Sequence, residues 1–173
     1  MILNNTVFFI KTALQAIIYI YSMKTYFLND PINQGEKLEA DVYHQITKMN
    51  TFDVVLIEND LVSMYGWDSS SIDQLLLIDG YMIPIQLKWR RTRRRETQGI
   101  KNFIRSIHYL KQVLKKDVLF GIWSSRMMPF EDNALLLETE KVVSVSFFDS
   151  IDGLVMRTIK VLKENLDEKC VKN

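Results

Sequence analysis

The spacing of hydrophobic and polar positions changes along the chain, and each change marks an element. From Gly35 to Met49, the residues Leu38, Val42, Ile46 and Met49 recur at helical spacing and predict a helix with one buried stripe. Phe52 to Ile57 and Leu61 to Tyr65 favour two strands joined at Glu58-Asn59-Asp60. Strand-like runs return at Ile72 to Ile78 and Tyr81 to Trp89. Gln98 to Lys115 is the longest expected helix, with Ile100, Phe103, Ile104, Ile107, Leu110 and Leu114 on one face. Val118 to Trp123 is a continuous apolar run suited to a buried parallel strand reached by a helix crossover. Asn133 to Glu138 fits a short helix or a strand, Val142 to Phe148 another strand, and Gly153 to Leu166 a closing helix.

The two runs around Asp79-Gly80 organise the rest. Asp-Gly is a strong signal for a two-residue type I′ turn, because both central residues need positive φ. Counting outward from Ile78 opposite Tyr81 puts Asp73 opposite Gln86 and Ser71 opposite Lys88. Side chains alternate, so Asp73, Gln86 and Lys88 share a face, with opposed Cβ atoms about 5 Å apart, near enough for two side-chain oxygens to share a cation. Both faces are otherwise apolar: Ile72, Leu76, Ile78, Ile83, Ile85, Leu87 and Trp89 on one, Leu75, Leu77 and Met82 on the other. That is the pattern of a hairpin covered on both sides. A buried carboxylate beside a lysine is costly unless compensated, and a divalent ion with a phosphate would compensate it. The plainer alternative is a strand-end aspartate and a solvated lysine. Pro84 is discordant, since a residue with no N–H argues for an edge, a bulge or a longer turn.

Residues 1–22 are mostly apolar, but Lys11, Thr12 and Gln15 interrupt them. The uninterrupted runs are shorter than the roughly 20 residues of a spanning helix, and Asn4, Lys11, Thr12 and Gln15 gather on one side of an amphipathic helix. Packing on the domain or a partner, membrane attachment, and an extension ahead of a start at Met23 all remain open. A structural protein anchored through this segment is the weakest overall reading.

Composition narrows the classes. A chain of 173 residues is long enough for a substantial core, and 22 basic against 21 acidic side chains give no global attraction to a polyanion. The single cysteine, Cys170, excludes an intrachain disulfide framework and fits a reducing intracellular compartment, cytoplasmic or nuclear. Two distant histidines, His44 and His108, make a zinc site a poor expectation. Local charge is another matter: Arg90, Arg91, Arg93, Arg94 and Arg95 form the densest positive patch, and arginine forks match phosphate oxygens. A solvated loop or a nuclear localisation signal would also account for it. Lys101, Arg105 and Gln112 lie off the apolar stripe of the long helix and would extend that surface.

Taken together, Gly35 with Glu39, Ile72-Asp73, and Gln86-Leu87-Lys88 followed by Trp89 and Arg90 resemble the PD-(D/E)XK nuclease superfamily, with the Mrr-like restriction endonucleases as the nearest branch. The likeness spans roughly Gly35 to the Phe147 region, and its motifs are short. It departs from the superfamily's name motif in having Gln86 where an acid is usual, a feature the Mrr-like branch shares. The resemblance implies an α/β, restriction-endonuclease-like domain over residues 23–173, with a mixed central sheet of about five strands and helices on both faces. It implies Mg²⁺ (or Mn²⁺) held by Asp73 and Gln86, Lys88 as the cation that orients water or offsets charge, and Glu39 as a helix-borne acid serving the metal or a water. Asp68 ranks second as a ligand and otherwise reads as a turn residue, while Ser124, Ser125 and Arg126 fall where a strand end would meet substrate. The expected activity is metal-dependent hydrolysis of nucleic acid, DNA above all and endonucleolytic, with a homodimer as an open assembly and no membrane. The rival expectation is a nuclease-like fold that binds nucleic acid or a protein without cutting.

Overall fold

The computed structural model describes residues 33–90, 92 and 95–170, with the side chains of 169 and 170 excepted. The segment 1–22, Arg91, Arg93, Arg94 and the Cys170 thiol lie outside the described residues. In chain order the elements are α1 (Gln34–Lys48), β1 (Val54–Ile57), α2 (Glu58–Tyr65), β2 (Gln74–Ile78), β3 (Tyr81–Lys88), α3 (Thr97–Leu114), β4 (Asp117–Val118), β5 (Gly121–Ser125), α4 (Glu131–Thr139), β6 (Val142–Ser146) and α5 (Ile151–Cys170). The strands form one mixed sheet in the order β1-β2-β3-β5-β6, with β4 as a sixth piece beside β3. The first three strands are antiparallel, and β3, β5 and β6 run parallel. Among the described residues no helix is long and apolar enough to cross a membrane.

The hairpin forms as the Asp-Gly pair requires. Ile78 pairs with Tyr81, and Asp79 (φ 47°) and Gly80 (φ 85°) both take positive φ. Alternation then sends Leu76, Ile78, Ile83, Ile85 and Leu87 toward α1 and α5, and Leu75 and Met82 toward α3 and its neighbours. Helices therefore cover both faces. Ile72, expected beside Leu76, packs on the opposite side with Leu75. It precedes β2 in a turn, its N–H donating to Ser69 O (3.3 Å), so strand alternation does not reach it.

Two further expectations are corrected. Leu61 to Tyr65 is not a strand but the body of α2, which carries Glu58 and Asp60 in its first turn. The Asp60 carboxylate accepts the Ile57 N–H (3.2 Å), and the helix stops at Gly66, where φ is 85°. The run from Val118 to Trp123 is broken between β4 and β5. Pro84 shows why: Met82 and Lys88 turn their carbonyls toward β4 and β5, accepting from Leu119 N–H and Arg126 N–H, so Pro84 has its nitrogen on that side too. The proline sits in a central strand at the point where the neighbouring strand is interrupted, and no ladder bond is forfeited there.

The two long predicted helices bury the stripes expected of them. Leu38, Val42 and Ile46 of α1 are fully buried, as are Ile100, Phe103 and Leu110 of α3. Each such side chain contributes about 1.5–3 kcal/mol of burial. The closing helix begins earlier than Gly153, capped by Ser150, whose side-chain oxygen accepts the Gly153 N–H (3.0 Å). Gly153 itself leaves room for Phe147: a Cβ there would lie 2.1 Å from the ring.

Candidate functional site

One end of the sheet collects the polar residues. The β1 to β2 ladder ends at Ile57 opposite Gln74, and the β2 to β3 ladder at Gln74 opposite Ile85. The next residue, Asp73, is held from both sides: Glu58 N–H donates to its carbonyl, and its own N–H donates to Ile85 O, each at 3.0 Å. Because β2 has ended, the N–H of Leu87 has no strand partner on this side, and the Asp73 carboxylate takes it (Oδ2, 2.6 Å). The same oxygen accepts a short hydrogen bond from the Gln86 amide nitrogen. Asp73 and Gln86 thus meet as the hairpin register requires, with Gln86 as donor. To offer an oxygen on the Asp73 side, Gln86 would have to turn its amide over.

Glu39 approaches from α1. It lies one turn before the buried Tyr43, on the flank of the stripe, and α1 is tied down on both sides of it. Gln74, fully buried, donates from Nε2 to the Glu39 carbonyl (2.8 Å), and Trp89 Nε1 donates to Gln34 Oε1 (2.8 Å). The Gln74 amide oxygen is buried without a hydrogen-bond partner.

Electrostatics connect these groups. Burial pushes the Asp73 carboxyl up to about 6, against the Lys88 ammonium and the Leu87 N–H, which favour its charged form. Burial, then repulsion by Asp73, pushes Glu39 up to about 8, again opposed by Lys88. Glu58, expected from the sequence to sit in a simple connection, also belongs here: burial raises it, Lys88 counters that, and it repels both Asp73 and Glu39. Continuing the β1 register by one residue puts Glu58 opposite Asp73, a relation visible only once those strands pair. Three carboxylates therefore face one lysine in a partly desolvated corner. Carboxylate and amide oxygens suit a hard divalent cation, and the surplus negative charge is what such an ion would relieve. Among the described residues no three Asp, Glu, His or Cys side chains stand in a ready-made cage for an ion.

Beside Lys88 a small cleft of about 30 Å³, open to solvent, continues along the carboxyl ends of β3 and β5. Arg90, Ser125, Arg126, Met127 and Met128 contribute to its walls. Arg126 lies 5.2 Å over the Trp89 ring and donates from Nε to Phe148 O (2.9 Å). Ser124 is not part of it. That side chain is buried toward α5, sharing a hydrogen bond with Thr158 (2.7 Å). Asp68 is exposed in the short 3-10 turn Trp67–Ser69, its carbonyl accepting from Ser106 (2.6 Å), and is a turn residue. The two described arginines of the basic run are both ion-paired, Arg90 with Glu96 (2.7 Å) and Arg95 with Asp132 (3.4 Å). Compared with family models, curated proteins and solved structures, the chain gives no significant match.

Proposed function

We propose that the protein is a metal-dependent nuclease of the PD-(D/E)XK kind, hydrolysing phosphodiester bonds in nucleic acid and acting endonucleolytically on DNA. The observation that carries the reading is the convergence of Asp73, Gln86, Lys88 and Glu39, from α1, the entry to β2 and the end of β3, in one corner where acid outweighs base. Mg²⁺ or Mn²⁺ would be held by Asp73 with the Gln86 amide oxygen, and by Glu39 or Glu58, supplying Lewis-acid polarisation of phosphate and a more acidic water. Lys88 offsets negative charge growing on the phosphate oxygens and keeps Asp73 and Glu39 toward their charged forms. Without an ion, burial and Asp73 push Glu39 up to about 8, and a bound divalent cation would draw it back to its charged form. Gln74 and Trp89 fix α1, and hence Glu39, against the sheet.

The test is incubation of the full chain with supercoiled, linear and branched DNA in Mg²⁺, Mn²⁺ or EDTA, with Asp73→Ala as the inactive control. Cutting that persists in excess EDTA would sink the metal mechanism. The second reading, a fold that binds without cutting, draws on one feature: Asp73 Oδ2 already accepts two N–H donors. Tight DNA binding with no cleavage in either metal would favour it.

A further inference from the structure

We infer that β6 is a self-pairing edge: two copies of the chain join through it, antiparallel about a two-fold axis at Ser144, into one continuous sheet. β6 ends the sheet and is bonded to β5 alone. Gly121 N–H donates to Lys141 O (2.9 Å), and alternate residues of a strand turn their polar groups to the same side. Val143 and Val145 therefore bond to β5, while Val142, Ser144 and Ser146 turn N–H and C=O outward. Among the described residues those outward groups have no backbone partner. A groove of about 530 Å³ runs along them, with Ala134 and Glu138 of α4 on one side and Asn165 of α5 on the other. Nothing within Val142–Ser146 guards the edge: it carries no charge, no proline and no bulge, and valines alternate with serines at its end.

Charge and symmetry select a second copy as the occupant. β6 is entered from Lys141 and left toward Asp149, both exposed. Lys141 is in no ion pair among the described residues and acts on Asp117 from a distance. Centred on Ser144, an antiparallel pair sets Val142 opposite Ser146 and Lys141 opposite Phe147, with Asp149 of the second copy at the next diagonal, within reach of a lysine side chain. The axis makes this opposite-charge contact twice, whereas a parallel pair would set Lys141 beside its own copy. The other edge, β1, lies between Asp53 and Glu58, and the same operation there would bring acid against acid. At β6 the axis also lays α4 beside its own copy and covers Leu135, 64% exposed next to the groove residue Ala134. The paired strands run in opposite directions, so the two Lys88 ends lie at opposite ends of the joint sheet and neither copy completes the other's acid corner.

Sedimentation velocity of the full chain should show a dimer at micromolar concentration. Ser144→Pro forfeits no bond to β5, because that N–H points outward, and removes two hydrogen bonds across the axis, so it should weaken the dimer at least about thirtyfold. Ser144→Lys sets like charges opposite one another and should act in the same direction. Both variants should keep the wild-type circular dichroism spectrum. An independent measurement needs no loss of assembly: in a chain also carrying Cys170→Ser, Ser144→Cys should give a covalent dimer with oxidised glutathione, since the axis brings position 144 within disulfide distance of its own copy. Val113→Cys in the same background, 45% exposed on α3, should not. A monomeric wild type, a dimer that survives both Ser144→Pro and Ser144→Lys, or failure of Ser144→Cys to cross-link would each overturn the inference.

Discussion

Glu39→Gln should stabilise the metal-free protein at alkaline pH and leave it nearly unchanged in acid. The carboxyl of Glu39 is pushed from 4.5 up to about 8, first by burial on the flank of α1 and then by Asp73. A raised carboxyl means that the folded state binds the proton more tightly than the unfolded chain. Stability from this group is fully present below the unfolded value near 4.5 and is lost as pH rises through about 8. At about 1.4 kcal/mol per unit the whole shift corresponds to at most about 5 kcal/mol. Water reaching the edge of the helix screens part of this, and an amide still fills the space, so we expect Glu39→Gln to gain about 2–3 kcal/mol at pH 8.5 and about 0 at pH 4.5. Urea unfolding in EDTA across this range measures it, and for a domain of this size each kcal/mol moves the Tm by about 2–4 °C. Some slope should survive in the variant, because Asp73 is raised as well. Adding Mg²⁺ at pH 8.5 should lift the wild type more than the variant, since the ion relieves a repulsion the variant no longer has. Parallel wild-type and variant curves from pH 4.5 to 8.5 would refute the argument, placing the Glu39 carboxylate in water.

Further substitutions divide the site into roles. Gln86→Leu removes an oxygen donor and leaves Asp73 without one of its hydrogen bonds, so the Mg²⁺ midpoint of cleavage should rise about tenfold while Gln86→Glu holds or lowers it; superimposed titrations for Leu and wild type would show that Gln86 is no ligand. Lys88→Met should slow cutting about 10²-fold at saturating Mg²⁺ with little change in DNA binding, measured by single-turnover kinetics beside anisotropy. Replacing Arg93, Arg94 and Arg95 by Ala should lower the slope of log K against log salt on duplex DNA by about 0.9 for each phosphate no longer neutralised, and an unchanged slope would assign the three to a solvated loop. Gly80→Ala, at φ 85°, should cost about 1–2 kcal/mol in urea unfolding without altering the metal dependence of cleavage.

Much of the fold is written in local pattern. Asp79-Gly80 sets the hairpin and its register, because two positive-φ positions in sequence admit one turn and period-two alternation then assigns every side chain to a face. The stripes of α1 and α3 are legible for the same reason, and so is the meeting of Asp73 with Gln86 across the hairpin. Leu61 to Tyr65 misleads, since its apolar residues suit a strand while its capping carboxylate and terminal glycine act only when read as a unit. Pro84 can be placed only with the neighbours known: a missing N–H is costless where β4 gives way to β5, and that gap belongs to another part of the chain. Glu58 shows the same limit at the site itself. It stands opposite Asp73 because β1 pairs with β2, and the charge balance of the corner depends on that pairing. Residue types and short-range spacing are properties of the sequence, whereas burial, desolvation and the company a carboxylate keeps arise only when distant segments pack together.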